Sequence, residues 1–201
     1  MTAPVRAERS PGLSPPRARV VAERPADERA LVLAAQRGER EAFSALVRTH
    51  ERRAYAVARA IVVNHEDAED AVQEAFLHAY RALHRFLPDQ AFGAWLHRIV
   101  ANAALDITRR RKVRDADELP ETVASPFRDP AESSELRRRL QEALDTLPPR
   151  QRAVIVLHDV EGFKHAEIGV TLGIPEGTAR SDLHYARSQL REVLGSVRSE
   201  L

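Results

Sequence analysis

Five carboxylates fall within nine residues, at Glu66, Asp67, Glu69, Asp70 and Glu74, with no lysine or arginine among them. Such a cluster could hold a metal ion, move protons, or sit at the positive end of a helix, where the macrodipole favours acidic side chains. His65-Glu66 is not followed by a second histidine at the spacing of a zinc-protease helix, and the chain has no cysteine, so no metal and no cofactor is expected. The surface left over suits a basic protein partner. A second cluster has the opposite sign: Arg98, Arg109, Arg110, Arg111, Lys112 and Arg114 stand against Asp106 alone. It reads either as the solvated cationic end of a helix or, with Asn102 and Trp95 on the same stretch, as a nucleic-acid face. Phe86, Phe92 and Trp95 offer stacking surfaces to single-stranded bases, although Phe92 and Trp95 also lie on an apolar stripe that points to a core.

A third stretch, Lys164 to Leu190, has the plan of a helix-turn-helix. A short helix with Ala166, Ile168 and Leu172 meets Gly173, and Pro175 opens a second helix. Ala179, Leu183, Ala186 and Leu190 turn inward at spacings of four, three and four. Thr178, Arg180, Ser181, Asp182, His184 and Arg187 face outward or flank that stripe, as a major-groove reader requires. The alternative is an ordinary helical hairpin in a core. Its arginines are nearly balanced by acids, so its pull on phosphate is small and a tether or partner must add affinity.

The elements that must carry these clusters are all helical. The spacing predicts a short helix over about 28–37 ending at Gly38, then a helix bearing Phe43, Leu46, Val47, His50, Ala54, Val57, Ala58 and Ile61. The apolar set restarts at Ala68, Val72, Ala75, Phe76, Ala79 and Leu83, breaks at 86–90, and resumes from Phe92 to Ile107. Leu136, Leu140 and Leu144 mark a further helix; Pro148-Pro149 begins another, and Ala153 to Val160 is apolar enough to be the centre of a small bundle. The fold class is therefore all-α, with two small helical domains at 27–113 and 134–201. Residues 1–26 are expected to form a disordered Pro/Arg-rich tail, and 114–133 an acidic, extended linker with Pro120, Pro126 and Pro130.

Composition narrows the function classes. The chain has 201 residues and a net charge of +1, distributed as +3 over 1–26, +2 over 27–113, −4 over 114–133 and 0 over 134–201. Of 31 basic residues only Lys112 and Lys164 are lysine, so lone arginines carry little weight. Without cysteine there are no disulfides, iron–sulfur clusters or thiol nucleophiles. Apolar runs are far shorter than the roughly 20 residues of a membrane span, and no secretory signal follows Arg6 and Arg9, so a cytoplasmic protein without membrane insertion is expected. Neither a phosphate-binding glycine loop nor a GxSxG elbow occurs, which leaves an enzyme without visible machinery.

Taken in order, these features resemble the extracytoplasmic-function subgroup of bacterial RNA polymerase sigma factors. DAEDAVQEAFLHAY from Asp67 resembles the family's polymerase-binding helix, FGAWLHRIVANAALDITRRR from Phe92 its promoter-melting helix, and LPPRQRAVIVLHDVEGFKHAEIGVTLGIPEGTARSDLHYAR from Leu147 its second DNA-binding domain. The likeness covers roughly 28–195. It implies that Asp67, Asp70, Gln73 and Glu74 dock on the clamp helices of the largest subunit of core RNA polymerase. The loop from Phe86 through Asp89 to Ala91 would capture an unstacked base of the non-template single strand at the minus-ten element. Arg98, Asn102, Arg109, Arg110, Arg111 and Lys112 would hold adjacent duplex promoter DNA, and Thr178, Arg180, Ser181, His184 and Arg187 the minus-thirty-five element. The resemblance also implies an anti-sigma factor and no catalysis, and it suggests that the acidic linker mimics nucleic acid in a polymerase channel. Asp182 stands where many relatives carry a basic residue, and Lys164-His165-Ala166 replaces their usual hydroxyl-aromatic-acidic run. The rivals are a dimeric helix-turn-helix repressor, which leaves the acidic helix and linker without purpose, and an all-helical enzyme.

Overall fold

The computed structural model describes the backbone of residues 26–117 and 135–197, and the side chains of 28–114 and 138–193. The tail and the linker expected from the sequence lie essentially outside these residues. The order is α1 (Ala26–Gln36), α2 (Arg40–Ile61), α3 (His65–Ala82), a 3-10 turn (Leu83–Arg85), α4 (Phe92–Asp117), α5 (Glu135–Asp145), α6 (Pro149–Ile155), a π-helical turn (Val156–Val160), α7 (His165–Leu172) and α8 (Glu176–Val197). No strand occurs among the described residues.

Each boundary has a local cause. Asn64 caps α3 by accepting the Asp67 backbone N–H at 2.7 Å. Pro149 opens α6, where its missing N–H costs no helical bond. Gly173 ends α7 with φ +65°, a conformation that a side chain would strain. Gly169 is needed for a different reason: a Cβ there would lie 2.8 Å from the Ile174 carbonyl oxygen. That close approach lets the Ile174 N–H reach the Gly169 carbonyl at 3.0 Å and sets the tightness of the turn.

The predicted apolar stripes are the core. Leu46, Ala54, Val57, Ala58 and Ile61 of α2 meet Ala68, Ala71, Ala75 and Ala79 of α3 and Phe92, Leu96 and Val100 of α4. The run of alanines on α3 lets its axis come close to α4. In the second half, Val154, Leu157, Ile168, Ala179, Leu183 and Ala186 fill the centre of α6, α7 and α8. Two details differ from expectation. α4 runs on to Asp117, beyond the predicted start of the linker, and Ala153 to Val160 is buried only as far as Leu157, because the π turn carries Asp159 and Val160 into solvent.

The halves are not separate bodies on a string: α2 and α4 pack directly against α6 and its π turn, and one apolar cluster runs through both halves. At the seam lies Glu161, its side chain 5% exposed. Its carboxylate accepts from His97 Nδ1 at 2.7 Å and from Arg53 Nε at 3.2 Å. Nearby, Arg98 Nη2 reaches Glu167 Oε1 at 3.3 Å while its guanidinium lies 5.0 Å from the Phe163 ring centroid. Arg152 is also buried, donating to Asp145 at 3.3 Å.

Burial on its own would raise the Glu161 carboxyl, but the hydrogen bonds and charges of His97 and Arg53 outweigh it and hold the group below the usual carboxylate range. A carboxyl depressed in this way stabilises the fold fully above its ordinary pKa, and that contribution is lost as pH falls through the depressed value. Glu161→Gln should therefore melt below wild type at neutral pH, with the gap closing on acidification. Thermal melts at stepped pH check this; a gap that stays constant into acid would refute it.

Candidate nucleic-acid interface

The acidic helix and the basic helix end turn out to face each other. Asp67 is tied from two sides, by Asn64 Nδ2 at 2.8 Å and by Arg111 Nη1 at 2.9 Å. Both carboxylate oxygens of Glu74 accept from a single nitrogen of Arg110, Nη2, at 2.7 and 3.0 Å. Hydrogen bonding and charge from Arg110 lower the Glu74 carboxyl against a smaller effect of burial. Half-buried Asp67 and Glu74, with exposed Asp70 between them, thus form one wall of a groove whose opposite side is Arg109, Arg110 and Arg114. What α3 presents outward is Glu66, Glu69 and Gln73, with Asp70 at the lip of the groove, continued by the exposed side chains of Leu77 and Tyr80.

The loop between α3 and α4 has an aromatic floor. Phe86 is 5% exposed, with its ring 4.7 Å from Trp95 and edge-on to Phe92 at 5.7 Å. The sequence offered Phe86 as a contact for a base; in this fold its ring packs on Trp95 and Phe92. Leu87 and Asp89 are the outward residues, with Asp89 held by Arg29 Nε at 3.2 Å. Arg98, expected to hold duplex DNA, is turned toward Glu167 and Phe163 in this structure. Asn102, Arg109, Arg110 and Lys112 are exposed, and Arg111 is half-buried beside Asp67.

In the helix-turn-helix, α8 presents Arg180, Ser181, His184 and Arg187 to solvent, with Thr178 half-buried. Its cations are already engaged. Arg180 Nη2 meets Glu176 at 2.7 Å, and Arg187 Nε meets Asp159 of the π turn at 3.0 Å. The Arg187 hydrogen bond lowers the Asp159 carboxyl more than burial raises it. His165, at the start of α7, stacks within 4.8 Å of His158; desolvation first, then the charges of His158, Arg180 and Arg187, lower its pKa. Asp182, expected to face outward or to flank the stripe, is buried: Arg150 of α6 donates to it through Nε at 2.7 Å and Nη2 at 3.3 Å. It fastens α8 to α6.

Against known proteins, the chain matches the family description "Sigma-70 region 2" over residues 46–114 and "Sigma-70, region 4" over 137–190. It is 44% identical over 161 residues to the ECF RNA polymerase sigma factor SigE of Mycolicibacterium smegmatis, a match covering 77% of this chain and 62% of that one. It is 40% identical over 158 residues to the ECF RNA polymerase sigma factor SigM of Mycobacterium tuberculosis, covering 79% and 80%. The chain belongs to the extracytoplasmic-function sigma factors. A solved structure of the sigma factor RpoE of Bartonella quintana, in complex with the anti-sigma factor NepR, resembles this sigma factor with a TM-score of 0.61 at 26% identity, covering 76% of this chain and 96% of that one.

Among the described residues of this sigma factor, no helix is long and apolar enough to cross a membrane and no group of three or more potential ligands could hold a metal ion. Some of what sequence reasoning missed had a signal. Asp182 lies three residues after Ala179 and four before Ala186, on the inward stripe itself, so its helical position already placed it against α6. The partnership of His97 with Glu161, 64 residues apart, had none.

Removing one end of the Arg150–Asp182 pair should cost about 1.5–3 kcal/mol, the usual scale for hydrogen bonds to charged groups. Asp182→Ala and Arg150→Ala should each lower stability in urea titrations, and the double variant should lose no more than the worse single one. Additive losses would show that the pair does not act as a unit.

Proposed function

We propose that this sigma factor docks on core RNA polymerase through the outward face of α3 and carries two promoter-reading surfaces to the DNA. The observation that carries the reading is the order of charged surfaces along one chain: an exposed acidic face, a short loop, a basic helix end and a near-neutral helix-turn-helix. Asp70 and Gln73 are the exposed contacts for the clamp helices of the largest polymerase subunit, with Asp67 and Glu74 behind them. Leu87 and Asp89, over the Phe86 floor, meet an unstacked non-template base of the minus-ten element, while Asn102 and Arg109 to Lys112 hold the neighbouring phosphates. Arg180, Ser181 and His184 face the minus-thirty-five bases, flanked by Thr178 and Arg187. The chain performs no covalent step of its own, works in the cytoplasm beside the polymerase, and is a target for an anti-sigma factor, as the RpoE relative is.

Two elements about 25 base pairs apart are separated by roughly 85 Å of duplex at 3.4 Å per step. The packed halves described above must therefore part on the promoter, and the residues joining them, even fully stretched, reach about 60 Å. Parting releases Arg98 from Glu167 for DNA. The pairs within each half, Arg110 with Glu74 and Arg187 with Asp159 among them, are untouched by that parting.

The test is promoter-specific initiation by core polymerase mixed with this chain. A dimeric repressor would instead bind DNA alone and start no transcript. Asp70→Lys should weaken holoenzyme assembly by at least about 1 kcal/mol through like-charge contact while barely changing the melting temperature. Unchanged assembly in a binding titration would remove α3 as the docking face. Arg180→Ala should weaken promoter binding by about 1–3 kcal/mol if it reads a base edge. An equal loss on all DNA sequences would make it a phosphate contact.

A further inference from the structure

The loop from Phe86 to Ala91 carries the proposed base contacts, yet much of what holds it comes from α1. Gln36, the last residue of α1, uses both hydrogens of its side-chain amide on the backbone there: Nε2 donates to the Leu83 carbonyl at 2.9 Å and to the Phe86 carbonyl at 2.8 Å. Those two carbonyls bracket the point where the 3-10 turn ends and the chain becomes extended, with Phe86 at ψ 134°. The Leu83 carbonyl also closes the 3-10 turn by accepting the Phe86 N–H at 3.0 Å, so it is the Phe86 carbonyl, beyond the end of the turn, whose direction an amide from elsewhere in the fold can determine. One turn from the other end of α1, Arg29 Nε takes Asp89 at 3.2 Å, and Glu28 meets His50 at 2.7 Å, whose ring lies 5.3 Å from Phe92. The loop is closed on itself by the Gln90 N–H on the Leu87 carbonyl at 2.9 Å. Its backbone is thus clipped from behind while Leu87, 61% exposed, and Asp89 project forward. The region 2 match begins at residue 46, so the clip comes from outside the part of the chain that the family description covers.

We propose that Gln36 is a positioning residue for minus-ten base selection: its amide fixes the direction in which the 86–91 loop leaves the 3-10 turn, and so the place where the loop meets the unstacked base. The proposal rests on the reading of that loop as the base-capturing element. Gln36 touches no DNA. Its effect is confined to the base the loop meets, because the basic end of α4 and the helix-turn-helix are held by other contacts.

The experiment uses holoenzyme formed with the full chain and a promoter library whose minus-ten element is randomised within a promoter found by transcript mapping. Sequencing the transcripts gives a preference at every position. Since misplacement of about 1 Å can cost on the order of a hundredfold, Gln36→Ala should reduce the preference at one minus-ten position by about tenfold or more. Flanking preferences, the minus-thirty-five preference and polymerase affinity should stay within about twofold on the same scale. Gln36→Glu keeps the size of the side chain and removes the donors, so it should behave as Gln36→Ala; a role in packing alone would leave it like wild type. Arg29→Ala removes an exposed pair that contributes little to stability, and should loosen the same position to a smaller extent. Wild-type preferences in both Gln36 variants, or a uniform loss across all positions, would overturn the proposal. Asp89→Ala separates the two levels: if it too leaves the minus-ten preference intact, the loop is not the reader, whereas a loss in Asp89→Ala with none in the Gln36 variants overturns the positioning role alone.

Discussion

One buried carboxylate governs how the two halves meet. Glu161 sits where α2, α4 and the π turn converge, and it is accommodated there only because His97 and Arg53 supply the charge and hydrogen bonds that water would otherwise provide. The pair is directional as well as attractive: a hydrogen bond of 2.7 Å to Nδ1 leaves little freedom for sliding. Arg98, Glu167 and Phe163 extend the same seam toward α7. These polar contacts stand beside an apolar cluster that also runs through both halves, and only the polar part is of a kind that solvent and foreign charges can replace.

The same economy runs over the surface. With almost equal numbers of acids and bases, the chain pairs these arginines from within: Arg110 on Glu74, Arg111 on Asp67, Arg180 on Glu176 and Arg187 on Asp159. An arginine that already has a carboxylate gains less from a phosphate. On the proposed reading, effective concentration on a larger assembly makes up the difference. The pairing of α3 with α4 also means that the helix read as facing polymerase and the helix read as facing DNA share a groove.

Much of this was legible before any coordinates. The three- and four-residue spacings located the helices, Gly173 and Pro175 located the turn, and the inward stripe of α8 at Ala179, Leu183 and Ala186 is buried as expected. Side-chain destinations were harder. Phe86 was equally compatible with a base and with Trp95, because an aromatic residue just outside a helical stripe belongs to neither period. Arg98 and the acids of α3 acquired their partners from elements distant in sequence, which periodicity does not reach. Gln36 was invisible for a related reason: a glutamine at a helix end reads as solvent-facing until the carbonyls of another helix are brought beside it.

α4 is a single unbroken rod of 26 residues, about 39 Å long. Its first turn floors the loop, its second faces the second half through His97 and Arg98, and its later turns line the groove with α3. Adding or deleting one residue in it would swing everything downstream by about 100° and undo three alignments at once. The rod therefore does not tolerate a change in its own length, and only on either side of it could the spacing between surfaces be retuned without rotating one against another.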